Sequence, residues 1–192
     1  MMFQGMEKKL SEEVLKFWLI ECNHEQWFKK DLKFDAKLKR KFLSIYNSAC
    51  SGKLHSWRLE PRPCLALIIC LDQFSRNFFR QDKRAFEQDE KAQELCWHAI
   101  KNNYLDKFEV NARMFSLLPL IHSEKIEDHE AAQKMLEKYL VLHPRHDSIK
   151  EFWMHHSNAI RRFGRYPHRN FILGRTSTQE ETTFLKGPNS SW

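Results

Sequence analysis

Cys64-Leu-Ala-Leu-Ile-Ile-Cys-Leu-Asp72-Gln-Phe-Ser-Arg76-Asn-Phe-Phe-Arg80 is the stretch on which the fold turns. Residues 64–71 are apolar on every side, as a helix buried on all faces requires. Eight residues cannot span a bilayer, which needs about 20. The run therefore predicts a central helix of a water-exposed fold. Asp72 continues the face of Ile68 and Ile69. A carboxylate there is expected to be buried and so must be paired. Arg76 and Arg80 follow at i+4 and i+8, the favourable order for an acid preceding a base. Two readings stay open. One is an internal Asp72–Arg76 bridge. The other is a polar cleft lined by Asp72, Gln73, Arg76 and Asn77.

Outward from this segment, apolar residues recur at helical spacing. Leu10, Val14, Phe17 and Trp18 form one stripe. Phe34, Leu38, Phe42, Ile45 and Ala49 form another, ending near Gly52. Ala92, Leu95, Cys96, Ala99 and Ile100 follow the i, i+3, i+4, i+7, i+8 pattern. Met114, Leu117, Leu118 and Ile121 form a fourth, with Pro119 expected to kink or interrupt it. A further helix is expected from Ser123, with Ser123 as N-cap. After Pro144, Ser148 and Glu151 read as a capping box, and Gly164 sits where a terminating glycine belongs. Ser177-Thr178-Gln179-Glu180 suits the start of a last short helix. No segment alternates at period two. The expectation is an all-α fold of about eight helices packed as antiparallel hairpins, one domain over 1–192, ordered from about 10 to 186 with frayed ends.

The 192 residues hold 32 Lys and Arg against 25 Asp and Glu, a net charge of +7. Split by position, the surplus lies at the two ends. Lys33, Lys37 and Lys41 line one face of the Phe34–Phe42 helix, which reads as a solvated face or as a contact for phosphate backbones. The other surplus differs in kind. Between Phe152 and Gln179 there is no acidic residue and no Lys, but Arg161, Arg162, Arg165, Arg169 and Arg175 occur, with His155, His156 and His168 among them. Arginine forks suit bidentate grip on carboxylate or phosphate. Pairing with distant carboxylates is the other reading. His122 and Glu124 flank a helix junction and suit either capping or acid–base work.

Five cysteines without close spacing fit a reducing compartment, and the polar start of the chain has no signal-like apolar run. A cytoplasmic protein without membrane contact is expected. No metal-ligand spacing, glycine-rich phosphate loop or nucleophile motif appears, so neither metal, cofactor nor catalytic residue is assigned. His129-Glu130-Ala131-Ala132-Gln133 misses the second histidine of a zinc-protease helix.

Several strings resemble a bacterial family known as domain of unknown function 924. They are Phe17-Trp18, Gln26-Trp27-Phe28, Phe34-Asp35, Leu71-Asp72-Gln73-Phe74-Ser75-Arg76-Asn77, Pro119-Leu120-Ile121-His122-Ser123-Glu124, and Arg162-Phe163-Gly164-Arg165-Tyr166-Pro167-His168-Arg169-Asn170 with Gly174-Arg175. The resemblance runs from about Val14 to Leu185. Ser75 and Ile121 depart from it, where the family often has Pro and an acidic residue. It implies a tetratricopeptide-like arrangement of helices and no activity.

From the chemistry of these strings, the leading expectation is a binding module. Asp72, Arg76, Asn77, His122, Glu124, Arg165, His168, Arg169 and Asn170 would gather at one concave face. Arg76, Arg165 and Arg169 would hold a small anion or an acidic peptide, with Asp72 and Glu124 orienting them. The rivals are a hydrolase acting on a small phosphorylated or carboxylated substrate with His122 or His168 as general acid–base, and nucleic-acid binding through Lys33, Lys37, Lys41 and the C-terminal arginines. Oligomeric state stays open.

Overall fold

The helix containing the decisive stretch, α4 (Pro61–Ile69), lies at the centre of the molecule. Its first turn carries Pro61 and Pro63, whose missing N–H groups cost nothing at a helix start. From Pro63 to Ile69 every side chain is buried. Each such apolar side chain is worth about 1.5–3 kcal/mol when removed from water. The rod continues past Ile69 through a π-helical turn, Cys70–Phe74, into α5 (Ser75–Phe78).

Around it the computed structural model places α1 (Met2–Lys16), α2 (His24–Phe28), α3 (Leu32–Cys50), α6 (Asp89–Lys101), α7 (Val110–Ile121), α8 (Ile126–Tyr139), α9 (His146–Phe163) and α10 (Gln179–Phe184). The structure describes residues 2–191, with side chains from Lys8 to Ser191. Counting α4 and α5 as one rod gives nine helices among the described residues, and no strand. Helices α1, α6 and α7 pack on α4, and α3 packs on the π turn. The later helices pack in order, α6 on α7, α7 on α8 and α8 on α9. None is long and apolar enough to cross a membrane.

A second π turn, Phe17–Glu21, ends α1, where the Cys22 N–H bonds the Phe17 carbonyl five residues back at 3.0 Å. It buries Trp18, whose ring meets Phe74 and Phe115 edge-on at 5.4 and 5.7 Å. The Trp18 carbonyl accepts the Trp27 indole N–H at 2.8 Å. This aromatic contact ties the N-terminal helices to the π turn after α4 and to α7.

Three local expectations change. Helix α9 starts at His146, two residues before Ser148, and no side chain caps it; instead the Arg145 N–H donates to His143 Nδ1 at 2.9 Å. Helix α8 starts at Ile126 and not at Ser123, whose hydroxyl donates to Asp128 at 2.6 Å and accepts the Lys125 N–H. Pro119 sits inside α7, which runs on to Ile121. So near the helix end, one absent bond does not stop the helix. Gly164 does terminate α9, in the left-handed region at φ 66°. Thr178 caps α10 in a reciprocal box with Glu181.

Candidate functional site

Asp72 lies within the π turn and is fully buried. The wider turn opens its own carbonyl to side chains, and Ser75 Oγ and Arg76 Nη1 both donate to it. Its carboxylate faces His122 at the end of α7. The Nδ1 nitrogen lies 2.7 Å from Asp72 Oδ1. Arg76 Nη1 stands 3.3 Å from the same oxygen. Burial opposes ionisation of Asp72. Arg76, followed by His122 and Gln73, outweighs it and holds the pKa at about 2. An ionised carboxylate only accepts, so His122 Nδ1 carries the proton. Burial, then Arg76, lowers the His122 pKa against the pull of Asp72. The ring is neutral at pH 7, and its Nε2 is the unprotonated nitrogen.

Arg76 has a second partner, Asp89, the first residue of α6, at 3.0 Å. Arg169 bonds the same carboxylate at 3.2 Å and donates to the His122 carbonyl at 3.1 Å. The Arg169 guanidinium lies between the Phe86 and Tyr166 rings, 4.6 and 4.5 Å from their centroids. Burial and the nearby Arg76 lower its pKa, while Asp89 opposes them. Its Nε is buried with no acceptor. The Tyr166 hydroxyl donates to the Ile121 carbonyl, and His168 packs on the Tyr166 ring at 5.4 Å. Burial, then Arg169, pushes the His168 pKa down to about 3.

The rest of the arginine segment forms an adjoining chain of ion pairs. Arg175 grips Glu124 through both terminal nitrogens, at 2.6 and 3.0 Å, and Glu124 also accepts the Tyr166 N–H. Asn170 accepts from Arg175 Nε and donates to Glu181. Arg165 binds Glu181 at 2.6 and 2.8 Å. That bond, aided by the Thr178 N–H, holds Glu181 at about 2. Arg162 pairs with Glu180.

Of the nine candidate residues, Asp72, Arg76, His122 and Arg169 meet directly, and His168 stacks beside them. Glu124, Asn170 and Arg165 belong to the neighbouring chain of pairs. Asn77 lies apart: one residue on from Arg76, it is rotated about 100° round the helix and bonds Asp35 at 2.7 Å, beside Arg80. The orienting acids also differ from expectation. Asp72 holds Arg76, but Glu124 holds Arg175, and Glu181 and Asp89 hold Arg165 and Arg169. Asp89 and Phe86 carried no sequence signal, because they meet Arg76 from another helix and Arg169 from near the far end of the chain; Glu181 is local only in its box with Thr178, and its bond to Arg165 spans 16 residues. A cleft of about 540 Å³ beside α3, lined by Leu43, Asn47 and Lys53, contains none of the nine. On that helix, Lys37 and Lys41 lie over the Phe17 ring. No group of three His, Cys, Asp or Glu residues that could share a metal ion occurs among the described residues.

A family described as "Bacterial protein of unknown function (DUF924)" matches residues 14–189, a span that takes in every string of this site. The chain belongs to the DUF924 family. A solved structure of a protein of unknown function from Agrobacterium tumefaciens is similar at 30% identity and a TM-score of 0.86, over 94% of this chain and 99% of that one. No curated protein matches. The matched DUF924 span contains both the Asp72–Asn77 and Arg162–Asn170 strings, and the fold brings Asp72, Arg76 and Arg169 into one corner.

Proposed function

We propose that this chain is a binding module whose ligand is a small anion, held at the corner of Arg76, His122 and Arg169. One observation carries the reading. Two guanidinium groups converge on the single Asp89 carboxylate, and Arg169 still has a buried donor without an acceptor. Native structures rarely leave such a donor unmet, because its desolvation is not repaid. Arg76 keeps a fifth of its side chain accessible, so an added carboxylate or phosphate can reach it and compete with Asp72 and Asp89, which hold its two terminal nitrogens. Asp72 and Asp89 fix the Arg76 fork in advance, which lowers the ordering cost of binding.

Thermal denaturation with inorganic phosphate, pyrophosphate or succinate tests the reading. An anion at a hundred times its Kd adds about 2.7 kcal/mol. That raises Tm by about 5–10 °C in a domain of this size. The rise is expected in the unaltered protein and in Arg80→Gln, whose ion pair lies on the Asp35 side. It is expected to vanish in Arg76→Gln. No rise with any of the three anions, or an equal rise in Arg76→Gln, refutes the site.

A further inference from the structure

We infer that the same corner is hydrolytic, with His122 as general base and Asp72 as its positioning residue, and that its substrate is a carboxylic ester bearing a separate anionic group. The inference rests on the binding reading above and adds a reaction to it.

Its basis is geometric. Asp72 Oδ1 and His122 Nδ1 are 2.7 Å apart, and the acid is wholly enclosed. The pair therefore fixes the ring's orientation and its tautomer, as in acid–histidine pairs generally. The opposite nitrogen, Nε2, has no hydrogen-bond partner among the described residues, and the side chain is 14% exposed. A π-helical turn supplies the acid, and such turns recur at functional sites. Arg76 stands beside the pair with a fifth of its side chain accessible, its terminal nitrogens shared between Asp72 and Asp89. The charged groups around His122 are Asp72 and Arg76 from the central rod, Asp89 from α6 and Arg169 from the C-terminal segment, whose guanidinium donates to the His122 carbonyl, and the neutral His129, His156 and His168 are near enough to couple to it.

The step balances without a co-reactant other than water. Arg76 holds the substrate's anionic end. His122 Nε2 takes a proton from water as the water oxygen bonds to the acyl carbon. The tetrahedral intermediate collapses, the carbon–oxygen bond to the alcohol breaks, and the proton on Nε2 passes to the departing oxygen. The products are an alcohol and a carboxylic acid, which ionises to solvent. An acyl carbon suits this base better than a phosphate monoester, whose uncatalysed hydrolysis is among the slowest known.

The test uses the whole chain with mono-4-nitrophenyl succinate, compared with the neutral 4-nitrophenyl acetate. The expected result is faster release of nitrophenol from the anionic ester, at a rate rising with pH through the His122 titration below pH 6.5. His122→Gln is expected to fall to background. Asp72→Asn is expected to lower kcat by about 10²–10⁴-fold and to shift the pH profile, which a purely structural role would not do. Arg76→Lys is expected to raise KM for the anionic ester alone. If Asp72→Asn fails to fold, His122→Gln with an unchanged Tm decides. Equal rates in the unaltered protein and His122→Gln overturn the inference. The succinate thermal shift separates the two failures: a shift without turnover sinks hydrolysis and leaves binding standing, whereas no shift removes both.

Discussion

Asp72 is fully enclosed and meets two cationic or donor side chains at once, so its removal leaves more than a void. Asp72→Ala strips Arg76 of one partner and leaves the His122 N–H facing nothing. Breaking one member of a buried charged pair costs about 3–5 kcal/mol, and Asp89 still balances Arg76, so a loss near 3 kcal/mol in urea unfolding is expected. Gln73 adds another donor to the same carboxylate, which places the cost in the network and not in one bond. Burial of Asp72 was legible because it continues an apolar face. The His122 partner was not, since 50 residues separate the two and no spacing rule reaches across them.

At the level of the helix, capping residues separate what local pattern can and cannot determine. Thr178 and Gly164 sit at true ends, and their signals needed nothing from elsewhere in the chain. Ser148 had an equally good local pattern, yet α9 begins earlier because His143 serves the Arg145 N–H and His146 Nδ1 meets the Leu140 carbonyl. Tertiary packing displaced a weak propensity. Chemical denaturation of three variants checks this. Thr178→Ala should lose about 1 kcal/mol. Gly164→Ala should lose about 1 kcal/mol, since its φ of 66° strains any side chain. Ser148→Ala should stay within about 0.5 kcal/mol of the unaltered protein. The stripes along α3, α6 and α7 were readable for the same reason that the caps were: periodicity is a property of the segment alone.

Across the whole molecule, the acid response follows from its buried histidines. His122, His129, His156 and His168 all have pKa values below the ordinary 6.5, with burial the first cause in each. Above pH 6.5 these rings are neutral whether folded or not, and they leave stability unchanged. As pH falls below 6.5 the unfolded chain takes up protons first, so stability drops. For His168 the drop continues to about pH 3. Asp72 works in the other sense: its contribution is intact above its ordinary 3.8 and is lost as pH falls through about 2. Between pH 6.5 and about 5 the histidines therefore lead the response; below that the loss from Glu181 and Glu124, whose pKa values lie below their ordinary 4.5, adds to it. The urea midpoint should fall steadily from pH 7 to pH 4.5, and His168→Gln should flatten that slope. A midpoint constant over this range would contradict the buried neutral histidines. In the acid-free arginine segment the pairing reading holds for four of the five arginines. Its surplus of charge is spent on Asp89, Glu124, Glu180 and Glu181, which are not in that segment or lie at its far edge.

The shared Asp89 carboxylate also sets an order of events during synthesis. Arg76 precedes Asp89 by 13 residues, whereas Arg169 follows it by 80. A chain emerging from the ribosome can neutralise that acid at once with the near arginine, and so keep the α4–α6 contact while the remainder is made. Only the last quarter of the chain brings the second guanidinium, and with it the Tyr166 hydroxyl that latches onto the end of α7. The far ion pair is then a completion mark: a chain stopped before Tyr166 keeps its first carboxylate–arginine pair but lacks the clasp that joins its end to its middle.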